Sequence, residues 1–167
     1  MRKAYTLLLL LCFIGCAGQA LIEFGMNDEG LLDSTFGDFT MRITEIAVPE
    51  GGGYTAVWTG AQDMTVPLGE TGFISITYGF EAIDPGSYPH VRVTVENLQY
   101  VDLETVMLVD TAFQFDATAF TQIVLEENDE LQLVININSD AWFDTDSLKI
   151  RTGHLPFEGA SLKVYYE

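Results

Sequence analysis

In two stretches of this chain apolar side chains recur at every second position, an interval that suits a pleated strand and not a helix. Val91, Val93 and Val95 alternate with Arg92, Thr94 and Glu96, while Leu131, Leu133, Ile135 and Ile137 repeat the interval. Phe39, Met41 and Ile43 do so again, but Ile46 and Val48 fall on the opposite parity, so a bulge is expected near Thr44-Glu45. Gly51-Gly52-Gly53 is a turn, and Tyr54–Thr59 returns from it as the second arm of a hairpin. Met64–Val66, Phe73–Phe80, Thr105–Val109, Phe120–Leu125 and Ser161–Tyr166 are further candidate strands. Asp84-Pro85-Gly86-Ser87 carries turn chemistry, because Pro presets one φ and Gly relaxes another. No dozen residues hold a helical stripe; at most a turn or two of helix is expected near Asp146–Lys149. Eight to nine short strands predict an all-β domain, an antiparallel β-sandwich, over residues 39–167.

The first residues give an address. Met1-Arg2-Lys3 is basic, Leu7–Ile14 is an apolar run, and small residues follow, as in an export signal. The run is too short for a permanent transmembrane helix, which needs about twenty residues. Phe13-Ile14-Gly15-Cys16 resembles the lipobox of bacterial lipoproteins, with Phe13 where Leu is usual. That resemblance implies a signal peptide over residues 1–15, lipidation of Cys16, and attachment to the outer membrane of a cell envelope, periplasmic or surface-exposed. Two or three acyl chains on one residue hold effectively permanently, whereas one holds only marginally. Ordinary cleavage after Ala17 or Ala20, giving a freely secreted chain, is the alternative. Residues 16–38 contain Asn27-Asp28-Glu29-Gly30 and few periodic apolar positions, so they are expected to form the lipidated terminus and a tether.

Charge limits the partners. Seven basic residues stand against 25 acidic ones, a net charge of -18 over 167 residues, which disfavours nucleic acid. The hydrophobic share of 48% is too high for a disordered acidic tail. Two cysteines, one of them inside the signal, are too few for a disulfide scaffold or a cysteine zinc site.

Little catalytic chemistry is visible. His90 and His154 occupy no metal-binding spacing and there is no GxSxG elbow, so both read as turn or strand-edge residues. Asp140, Asp144 and Asp146 form the one acidic loop that could offer calcium its oxygens. Asn136, Asn138 and Asp140 imitate the start of an EF-hand, but the required glycine and terminal glutamate are missing. Glu126–Glu130 is expected to be a hairpin loop. Tyr54, Trp58, Tyr78, Tyr88, Tyr100, Trp142, Tyr165 and Tyr166 are enough aromatics for a binding platform, although most should be core or edge residues.

Met41–Val48, the glycine turn leading to Trp58, and Asp84–Tyr88 followed by Val91-Arg92-Val93 together resemble bacterial lipoprotein domains of unknown function family 4382. The resemblance runs from near Phe39 to near Ile137 and implies a lipid-anchored sandwich without known catalytic residues. The expected function is therefore a non-enzymatic binding or scaffold module, held to the membrane by its lipid, with an envelope protein or glycan as partner and no required cofactor. The competing expectation is a calcium-dependent carbohydrate-binding module or a carbohydrate-active hydrolase.

Overall fold

A computed structural model describes residues 18–30 and 36–165. Cys16, the expected signal peptide and Tyr166 lie outside the described residues. The strands are β1 (Ala20–Asn27), β2 (Asp38–Glu50), β3 (Gly53–Pro67), β4 (Ile74–Ser75), β5 (Glu81–Ile83) and β6 (Gly86–Val101). They continue with β7 (Thr105–Val109), β8 (Phe113–Leu125) and β9 (Glu130–Asn136). After the single helical turn α1 (Ser139–Trp142) come β10 (Phe143–Asp144), β11 (Lys149–Ile150) and β12 (Ser161–Val164). The protein is all-β: 63% of the described residues lie in strands and 3% in helix.

The strands do not divide into two stacked antiparallel sheets. Ten of them form one mixed sheet in the path β3-β2-β6-β8-β12-β9-β1-β4, with β5 on β1 and β7 on β6. That sheet curls until β3 approaches β1 and β5, giving a nearly barrel-shaped body. Two pairings are parallel, β1 with β9 and β12 with β8. The second follows from strand order: β8 and β9 run antiparallel through a tight turn at Glu126–Asp129, and β12 inserts between them antiparallel to β9. A four-residue connection thus links strands that do not pair, unlike an ordinary hairpin.

Ala20, Ile22, Phe24 and Met26 of β1, all buried, point into the same core as Phe39, Met41 and Ile43 of β2. Residues 20–27, expected to belong to a tether, are thus an interior strand with β9 on one side and β4 and β5 on the other. The expected slip in β2 is present: pairing with both β3 and β6 shifts between Ile43 and Glu45, and Ile46 and Val48 then face inward. Met64–Val66 is the end of the long β3 and not a separate strand. Of Phe73–Phe80 only Ile74–Ser75 is a strand, because Tyr78 takes a positive φ of 52° and breaks the extension. The helical turn sits at Ser139–Trp142, ahead of the position expected for it.

Register fixes two rims. Asn27, Asp38, Pro67 and Val101 lie together at the upper rim, and Ala20, Glu50, Gly86 and Leu125 at the lower.

Candidate functional site at the upper rim

The upper rim is built on one buried side chain. The Asp28 carboxyl accepts four hydrogen bonds: from the Ser139 N–H (2.9 Å), the Ser139 hydroxyl (2.6 Å), the Gly69 N–H (3.0 Å) and the Gly30 N–H (3.3 Å). Asp28 and Ser139 are both fully buried, so these bonds replace lost hydration and tie β1, the loop after β3 and α1 together. Beneath them Phe39, Tyr100, Trp142, Phe143 and Phe157 pack with ring centroids 4.9–5.8 Å apart, in edge-on and tilted geometries. The Trp142 indole donates to the Ile137 carbonyl at 2.9 Å, which satisfies its buried N–H.

Above this plug opens a cleft of about 520 Å³ lined by Phe36, Tyr100, Asp102, Leu103, Thr145, Asp146 and Leu148. Phe36 is 81% exposed and Leu103, in the turn between β6 and β7, is 95% exposed. The Tyr100 hydroxyl donates to the Phe36 carbonyl, which fixes the backbone carrying that ring. Burial, and then the nearby Asp102 and Asp38 charges, push the Tyr100 phenol up, so it remains a donor at neutral pH. Gly37 is required beside it: its φ is +139° and a Cβ there would lie 2.4 Å from the Tyr100 oxygen. The cleft offers two exposed apolar side chains with carboxyl groups alongside, an arrangement suited to a partner carrying both grease and positive charge.

The acidic loop is only partly gathered. Asp144 and Asp146 share the β10–β11 turn, where the Asp144 carboxyl accepts the Asp146 N–H (3.1 Å) and the Ser147 hydroxyl (2.7 Å). The Ser147 hydrogen bond is the main cause holding the Asp144 carboxyl below its usual range. Asp140 stands apart in α1, with one buried carboxyl oxygen lacking a protein partner. Among the described residues no three His, Cys, Asp or Glu side chains converge as a metal site would need. Asn136, the imitation EF-hand start, is buried and accepts the Glu29 and Asn138 N–H groups.

A second polar constellation lies on the outer face. Arg92 on β6 grips Asp116 on β8 with two bonds, at 2.8 and 2.9 Å, while its guanidinium carbon sits 3.8 Å from the Tyr54 ring centre. The Tyr54 oxygen lies 2.8 Å from His90 Nε2 and donates to Asp116 at 3.2 Å. Tyr54, on β3 opposite Pro49 of β2, thus reaches across β2 to β6 and β8, and Ala47 of β2 is the small residue paired with Arg92. We read the group as a latch across four strands. His154 pairs with Glu158 at 3.0 Å, so each histidine is held by its own neighbours.

The aromatics are divided among environments. Tyr88, Tyr100 and Trp142 are core, Trp58 and Tyr165 are half-buried, and Tyr54 and Tyr78 are exposed. Sequence reasoning singled out Asp146 and Tyr100 but missed Phe36, Leu103 and the Asp28 clasp. The one signal for Leu103 was a large apolar residue between two acids in a turn, Asp102-Leu103-Glu104. Comparison with protein families, with curated proteins and with solved structures found no match.

Proposed function

We propose that this chain is a lipid-anchored β module of the cell envelope that binds a basic, partly apolar partner and carries out no catalysis. One observation supports this reading above the others: β1 begins at the lower rim, a few residues after Cys16, while the exposed cleft lies at the upper rim. An anchor at one end leaves the cleft facing away from the membrane. The net charge of -18 draws cationic partners toward the surface over about a Debye length, roughly 8–10 Å. Phe36 and Leu103 then supply the apolar area that outlasts salt screening.

Two measurements test it. Mass spectrometry of the mature N-terminus should find acylated Cys16; a chain starting unmodified at Gly18 or Leu21 removes the anchor. For the cleft, a labelled peptide alternating leucine and lysine should bind with an affinity that falls with salt. Leu103→Ser should abolish most of that binding, whereas Glu127→Gln, which removes one charge at the lower rim, should not. Equal binding by both variants would remove the cleft from the proposal.

A further inference from the structure

We infer that the protein lies with its β8 flank on a zwitterionic bilayer, placing Phe120, Val124 and Leu21 at the boundary between headgroups and acyl chains; this rests on the anchored reading above. The flank is unusual. Phe120 is 93% exposed, Val124 59% and Leu21 40%; Val124 and Leu21 sit beside the β8–β9 turn at the lower rim, and Phe120 stands part-way up β8. Phe120 is pushed out for a local reason. Between the pairs His90↔Thr118 and Tyr88↔Ile123, the four residues Ala119–Gln122 face Pro89 alone, so β8 bulges there. Behind the bulge β8 parts from β12 after Leu162 and leaves a cleft of about 590 Å³ with Leu131, Leu162, Lys163 and Val164 in its wall. From Ala117 to Leu125 the strand carries no charged side chain, in a chain of net charge -18. Among its exposed residues Phe120 and Val124 are large and apolar, and Thr118, Thr121 and Gln122 between and beside them are uncharged, which suits an interaction surface.

The path of the chain selects the occupant. Gly18 packs against Asn128 in the β8–β9 turn, where an added Cβ would meet the Asn128 oxygen at 2.4 Å. The Gln19 side chain donates to Asp84 at 3.2 Å, and the Leu21 N–H donates to the Asp129 carbonyl at 2.7 Å. Cys16 is four residues before Ala20, a reach of at most about 14 Å even when fully extended. The eight residues of β1 rise about 26 Å, so a lipid on Cys16 keeps the lower rim at the bilayer and leaves the upper rim clear of it. Glu126, Glu127, Asp129 and Glu130 at that turn are repelled by anionic lipid and meet no net charge on zwitterionic headgroups.

The test uses the full chain in phosphatidylcholine–phosphatidylethanolamine vesicles with brominated acyl chains, after mass spectrometry of Cys16. Phe120→Trp and Leu103→Trp each add an indole at an exposed position, the first on the β8 flank and the second at the upper rim. The added emission is read as the difference from the unsubstituted chain, which carries Trp58 and Trp142. The indole added at 120 should lose most of its emission to the bromines, and the one at 103 should keep it. No loss at 120, or equal loss at both, with acylated Cys16 overturns the flank assignment and leaves the anchor standing. An unmodified Cys16 overturns both. Exchange for phosphatidylglycerol should reduce the quenching at 120; undiminished quenching would remove the headgroup preference.

Discussion

The hydroxyl and N–H of Ser139 both end on the carboxyl of Asp28, 111 residues earlier in the chain, with neither residue reached by solvent. The pair closes the upper rim, and its removal leaves buried polar atoms without partners. Ser139→Ala deletes one donor and is expected to cost about 1–3 kcal/mol. Asp28→Ala orphans donors from three segments and should cost more than Ser139→Ala. Urea unfolding of both variants checks the order; a smaller loss for Asp28→Ala would show that the clasp is not the organising feature of the rim.

Acid should weaken the outer-face latch. The Arg92 hydrogen bond, opposed by partial burial and aided by the Arg92 charge, holds the Asp116 carboxyl below its usual range. A carboxyl depressed in the folded state adds stability that is fully present above its unfolded value, about 3.9. That stability is lost as pH falls through the lower, folded value, so the window lies below about pH 4. Because Arg92 and Asp116 are about one-third exposed, the contribution is about 1 kcal/mol or less. Melting temperatures from pH 5 to 2.5 should fall less steeply for Asp116→Asn than for the native chain. Parallel curves would show that the latch adds nothing.

Trp142 carries the aromatic plug. Fully buried among Phe39, Phe143 and Phe157, it also spends its indole N–H on Ile137. Trp142→Ala should cost about 3–5 kcal/mol and erase much of the near-ultraviolet circular dichroism. Trp142→Phe keeps part of the packing but orphans the Ile137 carbonyl, so its loss should be smaller. Equal losses would point to the hydrogen bond as the larger contribution.

What the sequence made legible follows physical lines. Val91, Val93 and Val95 announced β6 because one face is core and the other wet, and Ile46 announced the bulge through its parity. Two-sheet stacking is the expectation because alternation reports faces and says nothing of partners; the insertion of β12 between β8 and β9 depends on pairings 25 to 43 residues apart. Asp28 gave no sign, since an aspartate beside Asn27 and Gly30 has the composition of a loop, whatever donors the fold later brings to it. Asp146 drew notice as a calcium oxygen; its place on the wall of the upper cleft, beside Tyr100 of β6, Leu103 of the β6–β7 turn and Phe36 before β2, was not legible, because those neighbours are distant in the chain.

Gly25 and Phe73 are coupled on the outer face of β1. A Cβ at Gly25 would lie 2.4 Å from the Phe73 ring, which itself packs on Tyr165 with centroids 5.3 Å apart. Gly25→Ala must displace that ring and should cost about 1–3 kcal/mol by overpacking. With Phe73→Leu the second substitution should cost less than it does alone, a non-additivity read from a double-mutant cycle in urea. Additive losses would mean the ring moves aside freely.

The strand at Ala20–Asn27 deserves the sharpest test, because these residues look like linker in the sequence. Leu21 faces out and Phe24 faces in, fully buried, three positions apart on β1. A tether would tolerate truncation at either site alike. An interior strand would not: Phe24→Ala removes a ring from the core and should cost about 3–5 kcal/mol. Leu21→Ala at a 40% exposed site should shift stability by about 0.5 kcal/mol or less. Chemical denaturation of the two variants decides the matter, and equal midpoints would return these residues to the linker.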